Sequence, residues 1–330
     1  MTPAFDAKEL EKLRRQVMTD LAVASAEPSY IASREMRKRL YGENPYSRTV
    51  QGEVQDVKTL TVNDLKEWWF AFARPDLGVL YFSGDITIDR AVELSEQAFG
   101  SWKATEPKPE TKLAPIPESA PTHIYLVDKA GDQSQIRIAQ LGITYTHPQY
   151  FTSRVVSNYF GGAFGSRLNE NLRVKKGLTY GARGGYSTQH LAGEFGIGTF
   201  TKNESVPEAV QASIDEIKRL QAEPPNSDEL EHTKAFIIGS FAGDHEMAQS
   251  VAGDLWFIES EGLPEDHFRR MLKAVQATDA NQCVQLAQST LDPSKLVIVV
   301  VGPADTLKPK LEVIAPVTVV KTDQDDGKKR

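Results

Sequence analysis

Two stretches far apart in the chain repeat one pattern, and that repeat limits the possible folds more than any other feature. TVNDLKEWWFAFARPDLGVLYFSGDI, from Thr61, is echoed by ATDANQCVQLAQSTLDPSKLVIVVVGPA, from Ala277. Each copy has an Asp at the head of a helix, Asp64 and Asp279, then a turn proline, Pro75 and Pro293, then an apolar run ending in Gly84 or Gly302. The prolines and the glycines keep the same offset. Similarity at one long offset is the mark of a duplicated unit. Two copies of one domain are therefore expected, separated by residues 103–121, where five prolines among charged and small residues favour an extended connection. The division is 1–105 for the first unit, 106–121 for the linker, 122–318 for the second unit and 319–330 for a disordered tail.

Hydrophobic periodicity fills in the elements. Asp6 and Glu9 resemble a capping box before Leu10, Leu13, Val17 and Leu21, which recur at helical spacing. A second helix runs from Pro28 to about Leu40, Thr61 starts a third and Thr87 a fourth, with Leu77 to Ser83 read as a buried strand. In the second unit, strands are expected at 124–128 and 135–143, then a helix through Phe151, Val155 and Tyr159. A hairpin follows at 180–187 and 194–201, a helix capped by Ser205 and Glu208, three more helices over 228–291, and an apolar strand at 296–301. Strands gathered early and helices late give an α+β fold, a mostly antiparallel sheet with helices on one face. The same offset would place the front of the first copy about a hundred residues before Met1. The first copy is thus expected to be truncated at its N-terminus, with an apolar face that seeks a partner. Trp68, Trp69, Trp102 and Trp256 are read as core packing.

Composition excludes some functions. With 330 residues, 40% hydrophobic and 25% charged, the chain can build a substantial globular core, and no apolar run reaches the ~20 residues of a membrane span. A formal charge of −7 argues against a broad nucleic-acid surface. The lone Cys283 cannot close an internal disulfide.

The densest chemistry lies in YFGGAFGSRLNENLRVKKGLTYGARGGY, from Tyr159 to Tyr186. It reads as a helix stopping at Gly161-Gly162, a turn capped by Ser166, a short helix ended by Gly177, and a strand. That arrangement puts Arg173 in the last helical turn and Tyr180 three residues into the strand, with both able to face one cleft. The glycines lack the Lys-Ser/Thr of a phosphate loop, so nucleotide binding is not expected. Asp244-His245-Glu246 reads as solvated charge, because adjacent helical residues point to different faces.

GGAFGSRLNENLRVKKGLTYGA resembles the C-terminal signature of the insulinase, pitrilysin and mitochondrial-processing-peptidase superfamily, the inverted-motif zinc metallopeptidases. GENPYSR with Gly52, DLKEWWFAFARPDLGVLYFSGD and the duplicated α+β domain support the resemblance, which covers nearly the whole chain. It implies that Arg173 and Tyr180 bind the substrate carbonyl and the tetrahedral intermediate, with Gly161, Gly162, Ser166 and Arg167 in contact with substrate. It also implies an extended peptide added to a sheet edge, such as the glycine-flanked strand from Tyr180 to Tyr186. Zinc in that family is held by HxxEH and a downstream Glu, with the motif Glu as base.

The departures matter equally. None of the six histidines, at 123, 147, 190, 232, 245 and 267, forms HxxEH. The downstream Glu position falls at Thr19-Asp20, so Asp20 stands as a degenerate ligand and no metal site is expected in this chain. The resemblance therefore implies the C-terminal part or subunit of a zinc metalloendopeptidase, inactive alone. Zinc is expected on an N-terminal half or a homologous motif-bearing subunit, with an extended peptide as the other partner. The alternative is a non-catalytic binding or assembly subunit of the same superfamily. The compartment stays open, with the periplasm or export favoured if the parent is a bacterial tandem peptidase.

Overall fold

The computed structural model describes residues 3–104 and 107–321. Helices α1 (Ala7–Ala26), α2 (Pro28–Tyr41), α3 (Val54–Thr59), α4 (Val62–Phe72) and α5 (Ile88–Phe99) make up the first unit. After the proline-rich connection come β1 (His123–Asp128), β2 (Gln133–Leu141), α6 (Tyr150–Ser157), α7 (Arg167–Asn169), β3 (Ala182–Ser187), β4 (Glu194–Lys202) and α8 (Val206–Ala222). The chain closes with α9 (Ser227–Asp244), α10 (Ala248–Ser260), α11 (His267–Ala277), α12 (Ala280–Thr290), β5 (Val297–Gly302), α13 (Ala304–Leu311) and β6 (Val317–Val320).

One six-stranded sheet, in the order β3-β4-β2-β5-β1-β6, organises the molecule. Three neighbouring pairs are antiparallel, and β1 runs parallel to both β5 and β6. The fold is the expected α+β type with a mostly antiparallel sheet. On one face Ile124, Leu126, Ile136, Ile138, Ile298 and Val300 meet the helices of the second unit. The expectation of helices on that face alone is corrected by α2. Its Ala32, Met36 and Leu40, four residues apart, pack on Val127, Ala139, Val299 and Val301 of the opposite face. Covered on both sides, β5 carries the unbroken apolar run Ile298 to Val301 rather than an alternating one. The connection is pinned to the same layer: Asn44 Nδ2 donates to the Ala114 carbonyl at 2.6 Å, and Ile116 packs beside α2.

The rest of the first unit departs from expectation. The Thr61/Asp64 capping box of α4 forms, and Thr87 caps α5 through the Arg90 amide. In the run Leu77 to Ser83, read as a buried strand, Leu77 ends a short 3-10 turn and residues 78–83 pair with no strand among the described residues; Leu77, Val79, Leu80 and Phe82 are exposed. The run expected to repeat it in sequence forms β5, held between β1 and β2. A strand is stable only when neighbours satisfy its backbone and cover its faces, and the first unit supplies neither. Trp68 on α4 and Trp256 on α10 are 61% and 60% exposed, so these two rings do not pack the core as read.

Smaller differences have local causes. Four helices, not three, fill 227–290, the extra break falling at His245 to Met247. Ser205 makes no capping hydrogen bond, although α8 starts where expected, with Pro207 in its first turn. Strand β6 extends to Val320, beyond the expected start of the tail at 319. Residues 322–330 of that tail lie outside the described residues.

Candidate functional site

The glycine-rich segment is built by a close approach of helix and strand. Helix α6 buries Val155 and Val156, and its winding widens over Asn158–Gly162 into a π-turn in which the Ala163 amide donates to the Asn158 carbonyl at 3.2 Å. Tyr159 and Phe160 stay buried through that turn. Gly161 then lies directly on Gly184 of β3: a Cβ added there would sit 2.6 Å from the Gly184 carbonyl oxygen. Gly185, at φ +146, has Ser157 beneath it in the same way. The outer backbone edge of β3 is thereby occupied. The Tyr186 amide donates to Ser157 Oγ at 2.8 Å and the Ala182 amide to Asn169 Oδ1 at 3.2 Å. What approaches these glycines is the protein's own helix, so Gly161 is a packing residue, while Gly162 remains exposed at the rim.

Ser166 and Arg167 also turn inward. Ser166 is buried, and its Oγ has no hydrogen-bond partner among the described residues. Arg167, expected at substrate, is 6% exposed. Its guanidinium makes two 2.8 Å hydrogen bonds to the Glu229 carboxylate and donates to the carbonyls of Glu223 and Pro224 at 2.9 Å. It also lies over the Tyr159 ring at 5.1 Å. These bonds lock the glycine-rich turn to the α8–α9 corner, and the Arg167 fork holds the Glu229 carboxyl below the usual range.

Arg173 and Tyr180 face outward. A second π-turn over Glu170–Lys175 keeps Leu172 buried and leaves Arg173 half-buried, its guanidinium 4.5 Å from the centre of the Phe164 ring. Gly177, at φ +63, reverses the chain, and the Leu178 amide donates back to the Leu172 carbonyl at 2.8 Å. Strand β3 begins at Ala182, so Tyr180 stands before the strand rather than within it. The reason is a turn in which Thr179 Oγ1 accepts from the Gly181 amide at 3.1 Å, diverting the backbone from the sheet ladder. Tyr180 is 79% exposed.

Both side chains line one cleft of about 470 Å³ that wraps around the start of β3, with Phe164, Asn169, Arg137 and Arg183 among its walls. Asn169, Arg137 and Arg183 were not singled out as site residues. The available signal was an arginine, Arg137, inside the apolar strand IRIAQL, but sequence does not say which strand lies beside it. The π-turns have no sequence signature of their own.

Asp20 lies on the exposed side of α1. Among the described residues, no three His, Cys, Asp or Glu side chains converge in a way that could hold a metal ion. The described residues therefore do not assemble the ligand set of a zinc site. His245, read as solvated charge, is instead partly buried, with Nε2 2.7 Å from Asp254 and Nδ1 2.6 Å from the Phe241 carbonyl.

A family model described as the peptidase M16 inactive domain matches residues 59–236, more than half of the chain. The chain belongs to the M16 peptidase family. Among curated M16 relatives, the non-peptidase homolog YmxG of Helicobacter pylori is 22% identical over 282 residues, covering 83% of this chain. An uncharacterized zinc protease YmxG of Bacillus subtilis is 25% identical over 239 residues, covering 72% of this chain. This chain spans only 63% and 56% of those two proteins. The crystal structure of a peptidase M16 inactive domain from Pseudomonas fluorescens superposes with a TM-score of 0.84 at 24% identity, covering 92% of this chain and 72% of that one. The M16 fold expected from the glycine-to-tyrosine signature is thus present.

Proposed function

We propose that this M16 chain supplies one wall of a peptidase site and binds an extended peptide for a zinc centre carried by an N-terminal half or a homologous HxxEH-bearing subunit. The observation that carries this reading is the pairing of Arg173 and Tyr180 on one solvent-open cleft, in a chain whose described residues offer no metal-ligand set. A guanidinium fork and a phenol both donate hydrogen bonds, and donors held in place before reaction stabilise an oxygen that gains charge. With the outer edge of β3 closed by Ser157 of α6 and Asn169 of α7, the peptide would lie in the cleft itself rather than add to that strand.

The unpaired run at 78–83 supports the need for a partner. Its counterpart β5 has a parallel neighbour on one side and an antiparallel one on the other. The partner in this reading supplies both neighbours and covers Phe70, Phe82 and Ile88. The duplication of the domain belongs to the same proposal and is supported by the matching order of capped helix, turn proline and extended run. If the parent is a bacterial tandem peptidase, an exported location follows.

The test is peptide cleavage by an HxxEH-bearing M16 subunit with this chain added. Arg173→Ala and Tyr180→Phe should each lower kcat about a hundredfold, the scale of losing one oxyanion donor. Unchanged cleavage in both variants would remove the catalytic role. A second reading, a non-catalytic binding or assembly subunit, draws on the description of the matched domain as inactive and on the Helicobacter relative, called a non-peptidase homolog. It predicts a partner that is equally active without this chain.

A further inference from the structure

The cleft that holds Arg173 and Tyr180 is lined by three arginines and by no carboxylate. Arg137 on β2 and Arg183 on β3 are both in register with Gly198 of β4, the strand between them. Residues paired across a sheet share a face, so the two side chains rise from the same side of the floor. Gly198 leaves that floor bare: a Cβ there would come within 3.5 Å of Arg137 Nη1, so the guanidinium lies over the glycine. Gly196, next along on that face, also adds no side chain, and Glu194 Oε1 stands 3.7 Å from where its Cβ would be. Arg173 completes the ring from its π-turn.

None of the three has an anionic partner among the described residues. Arg137 contacts only neutral oxygens, the Ile136 carbonyl at 2.9 Å and Ser33 Oγ and Gln135 Oε1 at 3.4 Å. Arg173 rests on the Phe164 ring, and Arg183 is exposed. Burial lowers the pKa of the Arg137 guanidinium, as expected where charge is desolvated without a counter-ion. Arg137 and Arg183 also border the adjoining cavity that holds Glu194, Asp244 and Asp254, where Glu194 interacts with Arg37 and Asp254 pairs with His245. In a chain of formal charge −7, three uncompensated guanidiniums in one cleft form a local positive field that concentrates anions.

We propose that this cleft reads a carboxylate on the bound peptide, with Arg137 and Arg183 as specificity residues beside Arg173 and Tyr180. Guanidinium forks match carboxylate geometry, and the glycine floor leaves room for the carboxylate to reach both. The carboxylate comes either from an acidic side chain or from the peptide C-terminus. The proposal rests on the peptide-binding reading above and goes further by naming the substrate chemistry.

The experiment measures fluorescence anisotropy of labelled alanine- and glycine-based peptides mixed with the full chain. One peptide carries several glutamates and ends in an amide. A second replaces each glutamate by glutamine and also ends in an amide, and a third is the glutamine peptide with a free C-terminal carboxylate. The glutamate peptide or the free-acid peptide is expected to bind at least about tenfold more tightly than the neutral amide, the scale of one charge-assisted contact. Which of the two gains identifies the source of the carboxylate. Arg183→Gln, at an exposed strand position that leaves the core intact, should remove the advantage, and Arg183→Lys should retain part of it. Equal binding of all three peptides, or an advantage that survives both Arg183→Gln and Arg137→Gln, would overturn the inference while leaving peptide binding in place. No binding by any of them would overturn both.

Discussion

At Gly161 the helix backbone touches the backbone of β3, and no side chain fits between them. Gly161→Ala is expected to cost about 1–3 kcal/mol in a denaturant titration, through forced separation of helix and strand. The Arg167–Glu229 pair makes a pH-dependent contribution. The folded Glu229 carboxyl is held below its ordinary 4.5, so its stabilisation is complete above that value and is lost as pH falls through the lower folded pKa. Thermal melts should show Tm falling below about pH 4.5, and Glu229→Gln should lower Tm at neutral pH and flatten that fall. Burial pushes the Cys283 thiol up to about 12, so the native chain should not react with a thiol reagent at pH 8, whereas the denatured chain should yield one thiol. Arg173 and Tyr180 were legible in sequence as able to face one cleft, and Gly177 as the break between them. The inward turn of Arg167 was not, because its partner Glu229 is brought to it only by the α8–α9 corner.

Among the elements, strand periodicity was read well where both neighbours exist. β1, β2, β4 and β5 fall within two residues of expectation, since a one-residue slip would turn their apolar side chains away from the core. The run at 78–83 has the same apolar pattern and stays unpaired, because pattern records what a segment can pair with and not whether the pairing strands are present. The seat of α2 escaped the sequence for a related reason. Ala32, Met36 and Leu40 share one helical face, but spacing alone does not say that the sheet covers it. Met36→Ala should therefore destabilise the whole sheet layer, by roughly 2–5 kcal/mol in a single cooperative transition, rather than melt the first unit alone.

On the scale of the whole molecule, the chain has one completed sheet and one set of helices whose apolar face is open. Phe70 and Ile88, 72% and 82% exposed, flank residues 78–83 in the chain, whereas Leu286 of α12 and Leu307 of α13 are buried in one cluster with Ile298 and Val300 of β5. The same asymmetry runs through the chemistry, with Arg173 and Tyr180 together on one cleft and no metal-ligand set among the described residues. A partner that supplies two strands and a zinc centre would complete both at once. Hydrogen exchange at residues 78–83, with and without an HxxEH-bearing M16 subunit, tests this most directly. Fast exchange in the isolated chain, slowed by about a hundredfold or more at saturating partner, is the predicted result. Exchange at 78–83 that stays fast with the partner in excess would contradict it.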